Sequence, residues 1–140
     1  MSASQALLAI AGSLFALLGV AHGVMALRDS VRPATFRPSD DEVLTTMRAS
    51  NVAAMPGTTL WRAWLGLNLT HSLGLLVFGG LVLGLASGEN AWLANHPGAA
   101  AGVVAAAAAY VAVAARCFFA MPAAVAGVVV ACLVGAWLMG

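Results

Sequence analysis

Residues 60–86 read LWRAWLGLNLTHSLGLLVFGGLVLGLA, with one charge, Arg62, near the start. A helix crossing the hydrocarbon of a bilayer needs about 20 predominantly apolar residues, and this stretch exceeds that length. Three more stretches of the same kind occupy residues 7–27, 98–119 and 122–139. The pattern predicts an all-α integral membrane protein: four transmembrane helices in an up-down bundle, one membrane domain over residues 1–140, and a first loop at 28–59 that carries a short interfacial helix.

Composition points the same way. Hydrophobic residues make up 62% and charged residues 8%, against about 45–50% and ~25% in a soluble domain. Lysine is absent and the net charge is +1, which gives no basic field for nucleic acid and excludes it as a partner. No basic residue precedes the first apolar stretch, and that stretch is too long for the core of a secretory signal, so it is read as a true span.

Arginine placement predicts orientation. Arg28, Arg32, Arg37, Arg48 and Arg62 lie in or beside the first loop and Arg116 beside the third, whereas 88–97 has no basic residue. The positive-inside bias makes the arginine-bearing side cytoplasmic and both termini external, in a bacterial inner membrane. Turn chemistry at 87–92, Pro97 at a helix start, and Trp92 and Trp137 as interfacial anchors suit the outer face.

Within the first loop, Arg32-Pro33 and Arg37-Pro38 favour extended chain, and Ser39-Asp40-Asp41-Glu42 reads as a capping box that opens a helix running to about Asn51. Its Val43, Leu44 and Met47 share one side, which lies on the membrane or folds back across the bundle mouth. The acids of this box suit the positive end of a helix and require no metal.

Small residues recur along the spans: Gly12, Ala16, Gly19 and Gly23 in the first; Gly80, Gly84 and Gly88 in the second; Ala123, Gly127, Ala131 and Gly135 in the fourth. Such strips let backbones approach closely, inside one chain or between chains, so Gly12, Gly19, Gly80, Gly84, Gly127 and Gly135 are candidate contacts for a homo-oligomer or a larger membrane complex. Cys117 and Cys132 would lie roughly 15 Å apart along an antiparallel hairpin, too far for a disulfide, and read as packing thiols.

Candidate chemistry rests on a polar seam. Trp61, Trp64, Asn68 and His71 recur at spacings of three, four and three, which places them on one helix face. Polar groups within a span are costly and mark function or inward contacts. His22 in the first span and Arg116 at the end of the third join them, so the candidate ligand-binding residues are His22, Asn68, His71, Arg116 and Trp64. Asn68 is expected to partner His71, one turn away. Trp61 and Trp64 read first as interfacial anchors.

Three functional readings follow. In the first, a small amphiphile, lipid or quinone-like, sets its polar head on His71 and Asn68, with Arg116 or Arg62 for an anionic group; an imidazole titrating near pH 6.5 also permits acid–base work. In the second, the protein is an accessory or structural subunit of a larger membrane complex. In the third it is a b-type haem protein with His22 and His71 as axial ligands, although His22 some 9 Å and His71 near 15 Å inside the cytoplasmic end leave a mismatch of about 6 Å. The spans carry no carboxylate partner for the histidines, which disfavours proton pumping and hydrolysis, and no inverted repeat supports transport.

The segment Trp61-Arg62-Ala63-Trp64-Leu65-Gly66-Leu67-Asn68-Leu69-Thr70-His71 has the pattern W-x-A-x-x-G-x-N-x-[ST]-H. It resembles the second helix of a group of small, uncharacterised four-helix bacterial integral membrane proteins. The resemblance implies a four-helix membrane fold and no activity.

Overall fold

The computed structural model describes residues 1–88, 92–118 and 120–140. Among these the order is α1 (Ala3–Val31), α2 (Asp41–Ala49), β1 (Asn51–Val52), β2 (Met55–Thr59), α3 (Leu60–Ser87), α4 (Trp92–Asn95), α5 (Pro97–Cys117) and α6 (Ala120–Met139). Four of the described helices, α1, α3, α5 and α6, are long and apolar enough to cross a membrane. Pro97 occupies the first turn of α5, where its missing N–H costs nothing. Glu89, Asn90 and Ala91 of the expected outer turn, and Phe119, the expected last residue of the third span, lie outside the described residues.

The chain forms two compact units. One comprises Met1–Leu17 and Leu76–Gly140, the other Leu18–Leu75. In the first unit α5 packs along α6, and Ala100, Ala107 and Ala114 form a buried strip of small residues on α5. Phe15 of α1 meets Phe78 of α3 and Tyr110 of α5 at centroid separations of 5.4 and 5.3 Å, the tilted geometry that aromatic pairs prefer. The Ser4 hydroxyl donates to the Ala136 carbonyl at 3.0 Å, which satisfies a buried polar group across helices.

The glycine strips divide by use. A Cβ on Gly79 would come within 2.6 Å of the Ala16 backbone nitrogen, and one on Gly12 within 2.8 Å of the Gly79 carbonyl oxygen, so α1 and α3 meet here almost backbone to backbone. Gly135 packs against Leu7. Gly80, Gly84 and Gly127 instead face open space. The residue on α3 that admits α1 is thus Gly79, one position from the expected strip and rotated away from it by about 100° of helix.

The second unit holds the first loop. The cap of α2 is Asp40, not Ser39: its carboxylate accepts the Glu42 N–H at 2.8 Å, and an aspartate caps as well as a serine. The helix ends at Ala49, short of the expected Asn51, because β1 and β2 pair as an antiparallel hairpin with Val52 opposite Met55. Gly57 in β2 has φ 88°, a backbone conformation that favours glycine. The Leu60 N–H donates to the Ser50 carbonyl at 2.9 Å and ties the end of α2 to the start of α3. Leu44 and Met47 of α2 pack on Trp61 and Leu65 of α3, so Trp61 is buried under α2 and is not an exposed anchor.

Candidate functional site

The site residues His22, Trp64, Asn68 and His71 all belong to the second unit. Asn68 Oδ1 lies 3.0 Å from His22 Nε2, and Asn68 Nδ2 donates to the Trp64 carbonyl at 2.9 Å. The second bond fixes which way the amide points. Its oxygen therefore faces the imidazole. An amide oxygen only accepts, so His22 Nε2 carries the proton and donates.

This corrects the expected pairing, since Asn68 bonds His22 on the other helix and not His71 on its own. The reason is directional: the Asn68 amide nitrogen is held back along α3 by the Trp64 carbonyl, which leaves its oxygen to reach across to α1. His71 packs edge-on against His22, with ring centroids 5.0 Å apart and planes at 73°. The two histidines share one level. Helix α1 runs to Val31, four residues past the expected end at 27, and four residues set His22 about 6 Å deeper, the size of the anticipated mismatch.

Two features hold α1 and α3 together at this level. The Ser72 hydroxyl donates to the Gly19 carbonyl at 2.7 Å, in a buried contact. Gly23 faces the same hydroxyl so closely that a side chain there would displace it. The spacing of Gly19 and Gly23 signals close packing. That Ser72 fills the gap is not readable from spacing alone.

Above the histidines, the first loop is clasped by Asp29. The chain after Pro33 turns three successive amides inward: Ala34 N–H reaches Oδ1 at 3.0 Å, Thr35 N–H reaches both oxygens at 3.0 Å, and Phe36 N–H reaches Oδ2 at 2.6 Å. Such a run of N–H groups is an anion-binding concavity, filled here by the chain's own buried carboxylate. Phe36 is thereby set over His22, ring centroids 4.7 Å apart. Its carbonyl accepts the Trp64 Nε1–H at 2.9 Å, so Trp64, half in contact with solvent or lipid, braces the loop from α3.

Asp29, Phe36 and Ser72 are the residues that sequence reasoning missed. Asp29 carries a signal: an acid in the last turn of a helix faces the negative end of the dipole and needs compensation from elsewhere. The three amides that follow Pro33 provide it. The loop's ion pair, Arg37 with Asp41, is exposed and contributes little.

Arg116 belongs to the other unit, in the last turn of α5, where it is exposed beside Val113 and Cys117. The two imidazoles also do not form an axial pair. A haem iron between them would set the ring centroids roughly 6 Å apart, with one nitrogen of each ring aimed at a common point. The rings instead meet edge to face, with His22 Nε2 directed to Asn68. No family model matches the chain, and neither a curated protein nor a solved structure matches it.

Proposed function

We propose that this is a multi-pass protein of a bacterial-type inner membrane, related to the small four-helix proteins that share its second-helix pattern, and that it binds a small lipid or quinone-like amphiphile at His22, Asn68, His71 and Trp64. In this reading the four spans run up and down, α2 lies at the cytoplasmic interface with the arginines of the first loop, and both termini are outside. Arg116, expected to pair with an anionic group, belongs to the other unit.

The observation that carries it is the juxtaposition of two half-buried imidazoles, one hydrogen-bonded across helices to Asn68, under the Phe36 loop. Interhelical packing alone is already secured at this level by Ser72 and Gly19, so the histidines are not required as adhesive. Polar groups at membrane depth that are not needed for packing favour a ligand.

Native mass spectrometry of the full chain released from mild detergent tests the proposal. A retained lipid or quinone in the wild type, lost in His71→Ala, supports it; a wild-type chain that folds and retains nothing from total membrane lipid overturns it. A second reading, an accessory subunit of a larger membrane complex, is favoured by the open faces at Gly80, Gly84 and Gly127. Persistent co-purification that is abolished by Gly84→Leu and indifferent to His71→Ala would support that one.

A further inference from the structure

We infer that the head group taken by this site donates a hydrogen bond to His22: an alcohol or phenol hydroxyl on an apolar tail, as in the reduced, quinol form of a quinone-like amphiphile. The inference rests on the amphiphile-binding reading and adds to it the chemistry of the head. It starts from a relay of fixed directions. The Trp64 carbonyl can only accept, so it orients the Asn68 amide nitrogen toward itself at 2.9 Å. The Asn68 oxygen, 3.0 Å from His22 Nε2, can likewise only accept, so the ring proton sits on Nε2. In the neutral imidazole the other nitrogen, Nδ1, is then a bare lone pair and an acceptor.

His22 makes its hydrogen bond to the described residues through Nε2, and its ring is half-buried. Around it stand Phe36 and His71, which pack against the ring without supplying a cation or a carboxylate. In the loop, Asp29 is held by three amides, and Arg37 by Asp41 and the Pro38 carbonyl. A hydroxyl meets a matched acceptor in surroundings where an unmet polar group is costly.

The test uses the full chain in nanodiscs of zwitterionic phospholipid, with 1-dodecanol and dodecyl methyl ether as probes of equal tail and opposite hydrogen-bonding capacity. Occupancy is read by native mass spectrometry, and the His22 ring nitrogens by 15N NMR. The alcohol is expected to bind at least about tenfold more tightly than the ether, because a site built to meet a hydroxyl rejects an analogue that lacks the donor. The spectrum is expected to place the proton on Nε2 and none on Nδ1.

Equal binding of both probes, with both lost in His71→Ala, would overturn the donor assignment while leaving the pocket standing. Binding of neither would remove the pocket itself and this inference with it. A proton found on Nδ1 of the wild type overturns the inference without recourse to any variant.

Discussion

Phe36 N–H reaches the Asp29 carboxylate at 2.6 Å, and this short bond carries the first loop down over His22. Asp29 stands in the last turn of α1 and Phe36 seven residues later, so the clasp is local in sequence and closes at little cost in loop entropy.

Asp29→Asn keeps the shape and removes the charge. One of its terminal atoms becomes a donor, which then opposes an amide N–H. Bonds to a charged group contribute about 1.5–3 kcal/mol each. The amides of Ala34, Thr35 and Phe36 are expected to exchange with solvent about 10- to 100-fold faster, with exchange in α5 and α6 unchanged. Hydrogen exchange followed by mass spectrometry reads both in one experiment, and unaltered exchange at 34–36 would deny the clasp its role.

Adjacent glycines on α3 should respond oppositely to the same change. In Gly79→Ala the new methyl would meet the α1 backbone, which cannot yield as a side chain can, and the expected loss is about 1–3 kcal/mol. Gly80→Ala places a methyl in open space and gains up to about 1 kcal/mol of helix propensity. Thermal melts in one detergent should lower Tm for the first and leave or raise it for the second. A reversed order would mean that α1 does not approach α3 at Gly79.

Leu44→Ala removes the side chain by which α2 sits on Trp61 and Leu65. A cost of about 2–3 kcal/mol is expected, at the lower end of large-to-small core changes because the cluster is small. The loss should be confined to 41–59, seen as proteolytic nicking of the first loop while the membrane-embedded fragments stay intact. Resistance equal to wild type would show that α2 is held by something else.

The proposed orientation is open to a fusion assay. Alkaline phosphatase joined after Gly140 is expected to be active and green fluorescent protein at the same place dark, as for an external C-terminus. The opposite pair of results would invert the arrangement and place the Asp29 clasp outside.

The four apolar helices were legible because composition and run length decide them, whatever the packing. Their ends were not, and α1 is the instructive case. An acid and two arginines read as the start of a loop, yet the helix continues to Val31 because Asp29 finds three amides to answer its charge. That one extra turn brings His22 level with His71. The hairpin was illegible for a different reason: its two-residue turn is Ala53-Ala54, without the glycine or asparagine that announces such turns. The residues His22, Asn68 and His71 were singled out by their cost in a membrane, and the structure brings their side chains together. Who bonds whom was not legible, since that depends on the direction in which the Trp64 carbonyl turns one amide.

Trp64 ends its indole N–H on a carbonyl that belongs to the loop and not to its own helix. This makes the residue an optical gauge of that segment. With Trp61, Trp92 and Trp137 replaced by phenylalanine, a single emitter remains whose colour and quenching would track the departure of Phe36 from the histidines, and a stopped-flow trace would time it. The protein would thereby report the occupancy of its own site in real time.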